Sequence, residues 1–181
     1  MNPNANVDLS DTVMLFARKY QIASWFDLKP IPRDPRWKEL MTLHLSSRHA
    51  FSVNHAPFFS YFEQPLTHKY LARYVPMKSI PLWIWVHVFA MADGCPAIVR
   101  SGCTRKITAA VRSALRKNGY DRHGWASDGS GKVLQGTLKV NAYKTKDIMK
   151  LPFPELVGFF SRTVQKTLIP RLSKPVFYKV K

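Results

Sequence analysis

Residues 97–119 read AIVRSGCTRKITAAVRSALRKNG. The apolar positions Ile107, Ala110, Val111, Ala114 and Leu115 follow i, i+3, i+4, i+7 and i+8, which is one stripe of an amphipathic helix. The stretch holds six cations, Arg100, Arg105, Lys106, Arg112, Arg116 and Lys117, and no acid. At about 100° per residue, Arg105, Lys106, Arg112 and Arg116 fall mostly outside the stripe. Ser101 or Thr104 is placed to cap the start, and Gly119 to take the left-handed stop. The spacing therefore predicts a helix buried on one side and cationic on the other. An ordinary solvated helix face mixes charges of both signs. The absence of acids here points instead to a polyanionic partner. Guanidinium groups grip phosphate oxygens in pairs, and a helix N-terminus adds partial positive charge.

Strands are expected on both sides of this helix. Residues 82–91 (LWIWVHVFAM) are apolar on both faces and read as a strand lying centrally in a sheet. Asp93-Gly94 marks the turn that follows. Beyond the helix, residues 121–132 (DRHGWASDGSGK) read as a flexible loop insertion. Residues 135–143 form a second strand, with Leu138 and Val140 on one side and Thr137, Lys139 and Asn141 on the other. Pro152 and Pro154 open a last helix over 154–168 with the stripe Leu156, Val157, Phe160, Val164 and Leu168, and Pro170 and Pro175 end it. The order strand, basic helix, strand, helix implies an α+β fold: a β-α-β-α core in which helices cover one face of a sheet.

The N-terminal part is harder to read. Residues 1–10 are polar, and Ser10 or Asp11 is placed to cap a helix running to about Phe26, with Val13, Phe16, Ala17, Tyr20 and Ser24 on one side. Pro30, Pro32 and Pro35 make a stiff connector. Residues 36–45 fit either a short helix or the start of a strand. Residues 50–53 and 58–62 look extended. Between 58 and 74 lie Phe58, Phe59, Tyr61, Phe62, Tyr70 and Tyr74. Core packing is the favoured reading of these rings, and a base-stacking surface beside Lys69 and Arg73 is the functional one. The chain is thus divided into a helical or irregular N-terminal extension with an aromatic-rich region, 1–75, and a basic α+β core, 76–181.

The 181 residues carry a net charge of +17, from 28 basic and 11 acidic side chains, and 46% of them are apolar. That apolar content fills a core and excludes pure disorder. The charge makes nucleic acid the leading partner and anionic lipid the lesser one. Two cysteines make no disulfide framework, and the opening MNPNANVDLSD has no apolar run of a signal peptide. A reducing compartment is expected, left open between the mitochondrial matrix and the cytoplasm. The longest apolar run, 80–92, contains Pro81 and His87 and is too short to span a bilayer, so no membrane partner is expected.

Catalytic patterns fail one by one. A phosphate-binding loop at GWASDGSGKV would need Gly at position 126 and Ser or Thr at 133, where Ala126 and Val133 stand. Cys95, Cys103 and His87 lack metal-ligand spacing. The cysteines read as small packing residues and His87 as a hydrogen-bonded core histidine. The acids are too few and too dispersed for a hydrolytic pair. No catalytic or metal-binding residue is expected, and no cofactor apart from Mg²⁺ carried in by bound RNA.

At the basic helix the sequence resembles the protein subunit of bacterial-type ribonuclease P. That family runs from a strand into Ala-Val-Val-Arg-Asn-Arg and then into Arg-Arg-Leu on an amphipathic helix. The same frame here reads Ala97, Ile98, Val99, Arg100, Ser101, Gly102, then Arg105, Lys106, Ile107, followed by Ala110, Val111 and Arg112. A second strand and a helix entry at Phe153, Glu155 and Leu156 come next, so the similarity spans roughly the C-terminal half. Ser101 stands where the family has Asn and Gly102 where it has a second Arg, both central contacts with the catalytic RNA in that family. The resemblance implies a non-catalytic, RNA-binding subunit of a tRNA-processing ribonucleoprotein, in which RNA and Mg²⁺ perform the cleavage. It also implies a left-handed crossover between parallel strands. The candidate RNA contacts are Arg100, Ser101, Arg105, Lys106, Arg112, Arg116 and Lys117, and the RNA is a tRNA precursor or a catalytic RNA. The alternative is a structural protein of an organellar (mitochondrial) ribosome, bound to rRNA, with the N-terminal half making protein contacts. A DNA-binding helix is disfavoured, because no Asn or Gln stands near the helix start to read adenine.

Overall fold

Alternation along one strand sets the layers. Strand β5 (Gly136–Ala142) turns Leu138, Val140 and Ala142 to one side and Thr137, Lys139 and Asn141 to the other. It pairs antiparallel with β2 (Met41–Ser46) and parallel with β3 (Leu82–Val88), and β1 (Lys29–Pro30) adds to the far edge of β2. The sheet order is β1-β2-β5-β3 in this computed structural model, which describes residues 9–32, 34–59, 65–89 and 94–175. Segment 1–8, Tyr61, Phe62, Met91, Asp93 and the basic tail from 176, all read in the sequence, lie outside the described residues.

The first face of the sheet carries Met41, Leu43 and Leu45 of β2 and Leu138 and Val140 of β5. It packs against helices α4 (Ala97–Lys117) and α6 (Phe153–Thr163). The expected stripe of α4 is the buried one: Ile107, Ala110, Val111, Ala114 and Leu115, joined by Cys103, are all fully covered. Each such Ile, Val or Leu contributes about 1.5–3 kcal/mol. Pro96, not Ser101 or Thr104, holds the N-cap position; Thr104 lies inside the helix, where its hydroxyl donates to the Arg100 carbonyl. Gly119 takes the left-handed conformation expected of it, at φ +80.

Helices were expected on one face, but the second face is covered as well. Trp83 of β3 joins Val13 of α1 (Asp11–Tyr20), Phe51, Phe59, Leu71 of α2 (Thr67–Ala72) and Tyr74 of α3 (Tyr74–Met77) in a separate cluster. Tyr74 is fully buried. Its hydroxyl accepts the Ser52 N–H at 2.9 Å and pairs with His55 Nδ1 at 2.7 Å, while Phe51 meets its ring edge-on at 5.0 Å. Core packing is therefore what the described aromatics of 58–74 mainly do. It also corrects the reading of β3. An apolar run on both faces records layers above and below, not strands on both sides, and among the described residues β3 is an edge strand.

Other boundaries shift for local reasons. Helix α1 stops at Tyr20 rather than Phe26, because Gln21 turns left-handed at φ +53 and Ser24 and Asp27 form a capping box on a short 3-10 turn, Trp25–Asp27. Residues 36–45 resolve into a turn and then β2. Of the pieces read as extended, 50–53 contributes only a lone bridge from Ala50 to Ala23, and a 3-10 helix, Val53–Phe58, takes in the ends of both pieces at Val53 and Phe58. The stretch 121–132 is a loop with hydrogen bonds of its own. Asp121 Oδ1 accepts the N–H groups of His123 and Trp125, and Tyr120 bridges Ala126. The loop leads into β4 (Lys132–Leu134), paired with β6 (Ser173–Pro175). After α5 (Thr145–Lys150) and α6, the chain does not stop at Pro170. A π turn, Val164–Leu168, leads into α7 (Ile169–Leu172), which contains that proline. A proline lacks the donor of a regular turn and crowds the preceding carbonyls, and the wider π turn accommodates it. The division at 75/76 marks no break in the sheet, since β2 from the first part pairs with β5 from Met41↔Ala142 to Ser46↔Thr137.

Candidate nucleic-acid interface

Burial of one side of α4 dictates what the other side shows. Ile98, Ser101, Arg105, Ala109, Arg112 and Arg116 are all exposed and recur every three or four residues, so they form one line along the helix. At a rise of about 1.5 Å per residue, Arg112 stands about 10.5 Å from Arg105 and about 6 Å from Arg116 along the axis. Lys117 is exposed beside the end of this line. Among the described residues, Arg105, Arg112 and Lys117 make no hydrogen bond or ion pair, and the nearest to a partner for Arg116 is a weak 3.4 Å approach to Ser113 Oγ. Three acids pair with cations elsewhere. Glu155 pairs with Arg36 at 3.1 Å, Glu39 with Lys144 at 3.0 Å and Asp27 with Arg48 at 3.4 Å. The arginine line therefore keeps its charge unneutralised by the described part of the protein.

The structure divides the expected contacts. Arg105, Arg112, Arg116 and Lys117 face solvent, with Ser101 at the N-terminal end of the line. Arg100 instead turns its guanidinium back onto the Cys95 carbonyl. Lys106 is half-buried and donates to the carbonyls of Met149 at 2.8 Å and Leu151 at 2.6 Å, so it closes the C-terminal end of α5. Gly102 faces the same helix: a Cβ there would lie 3.6 Å from Met149 Cε. The first two turns of α4 are thus partly roofed by α5, and the open cationic surface begins at Arg105. No family model, curated protein or solved structure matches this chain.

A second group escaped the sequence reading because it exists only through strand register. On the far face of the sheet, His44, Lys139 and Trp85 form one cross-strand row, and Thr42, Asn141 and His87 the next. Burial and the neighbouring Lys139 hold the His87 imidazole below its ordinary range, and burial lowers Lys139. His87 Nδ1 donates to Asn54 Oδ1, the bonded core histidine expected from its place in the strand. Asn141 Oδ1 is buried without a donor. Both cysteines are buried, as packing residues would be. Among the described residues no three His, Cys, Asp or Glu side chains gather in a metal-ligating group, and no helix is long and apolar enough to cross a membrane.

Proposed function

We propose that this chain binds RNA through the exposed line of α4 and serves as a non-catalytic subunit of a tRNA-processing ribonucleoprotein of the ribonuclease P type. The observation that carries the reading is the line Arg105, Arg112 and Arg116, solvent-facing and without an acid to neutralise it. Phosphates are the partner that such a line satisfies, because each guanidinium can bind two phosphate oxygens. The succession β3, α4, β5, α6, with β3 and β5 parallel neighbours, supports the same reading. In it, Mg²⁺ comes with the RNA and the protein supplies shape and charge.

One observation favours a second reading, a structural protein of an organellar ribosome. At Gly102, where the resembled family places an RNA-contacting arginine, this chain packs α4 against Met149 instead. Its N-terminal layer then adds surface for protein neighbours. Isolation of the protein from its own cells separates the two. Recovery with a short non-ribosomal RNA supports the ribonuclease P type, co-sedimentation with a ribosomal subunit supports the second reading, and recovery free of RNA at low salt removes both.

A further inference from the structure

The main sheet has two edges among the described residues, and only one is blunted. At one edge β1 is two exposed residues, Lys29 and Pro30. A short edge carrying a lysine and a proline resists an added strand. At the other edge β3 reads LWIWVHV, with no lysine, acid or proline. It pairs with β5 one for one from Leu82↔Gly136 to Val88↔Ala142, so it has no bulge either. The Gly136 N–H donates to the Pro81 carbonyl, and the Phe89 N–H to the Ala142 carbonyl. The odd-numbered residues between Pro81 and Phe89 therefore turn their backbone groups toward β5, and the even-numbered ones turn theirs outward. The outward Leu82 N–H is met by the His123 carbonyl at 3.0 Å. Among the described residues Ile84, Val86 and Val88 have no such partner, and 84–88 is half-buried rather than covered. Unpaired backbone donors and acceptors in a row are a template for one more strand.

The helix layer above this edge sets the chemistry of that strand. α4 rests on β3, while α6 lies toward β2, where Phe159 stacks on Trp37 and the Trp37 carbonyl accepts the Met41 N–H. Lys106 and Asn118 mark the side of α4 turned to α5 and α6, through their bonds to Met149 and Ser161. At about 100° per residue, Thr108, Arg112 and Arg105 fall on the opposite side, over the free edge. Thr108 is half-buried there and both arginines are exposed. A strand added to β3 places alternate residues under these arginines and the others against the half-buried Trp85 on the far face. Carboxylates suit the first set and apolar side chains the second. A second copy of this chain would bring the same arginines and a further +17 to the edge, so repulsion disfavours it.

We propose that the outer edge of β3 takes up an extended segment of a partner protein as an antiparallel strand, with acidic residues toward α4 alternating with apolar ones toward Trp85. Ile84, Val86 and Val88 exchange backbone hydrogen bonds with it. This docking stands whether or not α4 also binds RNA.

The test uses the full chain, purified free of RNA, and the synthetic peptide acetyl-EVEVEVE-amide. Acetyl-KVKVKVK-amide and acetyl-EEVVVEE-amide are the controls for charge and for alternation. The readouts are calorimetry and hydrogen exchange at the amides of Ile84, Val86 and Val88. At about ten times its Kd, EVEVEVE is expected to slow exchange at these amides about tenfold. KVKVKVK should not bind, and EEVVVEE should leave the three amides exchanging as in the free chain. Antiparallel pairing aims the peptide N–H groups of its α4-facing residues at the edge. N-methylation of the glutamates should therefore abolish the protection, and N-methylation of the valines should preserve it. Arg105→Glu/Arg112→Glu should weaken EVEVEVE about tenfold, the scale of two surface ion pairs reversed. The proposal is overturned if saturating EVEVEVE leaves the three amides unprotected, or if KVKVKVK protects them equally well. Protection already present in the free monomer overturns it too, by showing that the chain covers its own edge. Protection that grows with protein concentration in the absence of peptide assigns the edge to a second copy instead.

Discussion

Arg105 and Lys106 are adjacent in sequence, equal in charge and opposite in use. Arg105 projects from the exposed line, whereas Lys106 lies one position round the helix, within reach of two carbonyls at the end of α5. Lys106→Ala is expected to lower stability by about 1–2 kcal/mol, because hydrogen bonds to a charged donor are lost and helix-end carbonyls are released. It should leave the salt dependence of RNA binding unaltered, while Arg105→Ala should do the reverse. Denaturant melts and binding titrations on the same two proteins check this. His49 makes a sharper case. Its imidazole stacks on Trp83 at 4.2 Å, its Nε2 donates to the Pro81 carbonyl at 3.0 Å, and its Nδ1 accepts from Lys78 Nζ at 3.4 Å. Burial is the main reason its pKa is lowered, and the Lys78 charge adds to it; burial likewise lowers His55 and His87. A lowered folded pKa means that the unfolded chain takes up protons first as pH falls through about 6.5. Stability is therefore full above that pH and declines as pH falls from there toward the folded-state values. The melting temperature should drop between pH 7 and pH 5. His49→Phe should lower it at pH 8, by about 1–2 kcal/mol of lost hydrogen bonding, and flatten its fall with acid.

At the level of elements, α4 is a charge device mounted on a core helix. Removing Arg105 and Arg112 together should reduce the log–log salt slope of RNA binding by about 1.4 to 1.8, since each phosphate contact contributes about 0.7–0.9. An unchanged slope would place the phosphate contacts elsewhere. α4 was legible in the sequence because Ile107, Val111 and Leu115 face one way with helical period and the cations keep clear of them. β5 was legible because Leu138 and Val140 alternate with Thr137, Lys139 and Asn141. β3 was legible as a strand but not as an edge strand, because side-chain pattern records which faces are buried and not which backbone groups are paired. The reach of the C-terminal helix through Pro170 was hidden because the π turn that permits it leaves no residue signature. Lys106 was counted with the RNA contacts because its carbonyl partners, Met149 and Leu151, lie more than forty residues away, as their separations of 43 and 45 show. Gly136 offers a direct check on the β2–β5 junction. At φ +146, with the Ser46 carbonyl where a Cβ would stand, Gly136→Ala should cost more than about 1 kcal/mol and broaden the melting transition.

For the whole molecule, one sheet separates two cores of different character. The aliphatic side carries the basic helix, and the aromatic side is built by the N-terminal segment around Phe51, Phe59, Tyr74 and Trp83. Because β2 belongs to that segment and pairs with β5, the N-terminal part is structural to the sheet that carries α4 rather than an appendage to it. Six of the eight described acids are committed to local work. Asp121 and Asp128 order their own loop, Asp34 holds a turn, and Asp27, Glu39 and Glu155 pair with surface cations. Metal-assisted hydrolysis needs carboxylates or histidines turned toward a common ion, and a nucleophile needs a base beside it. His49 spends both ring nitrogens on Pro81 and Lys78, and His87 spends its Nδ1 on Asn54. The proposed reading, RNA held by the protein and chemistry left to the RNA, can be tested directly. Purified free of RNA and given a tRNA precursor with Mg²⁺, it is expected to bind without cutting. Cleavage at one position should appear when the RNA that co-purifies with it is restored, and should weaken at higher salt in wild type more steeply than in Arg105→Ala/Arg112→Ala. Specific cleavage by the protein alone, abolished by replacing a single acid or histidine, would sink the non-catalytic reading. Binding of both RNAs with no cleavage on recombination would move the weight to the ribosomal alternative, because a scaffold of rRNA needs the same exposed arginine line and no reaction.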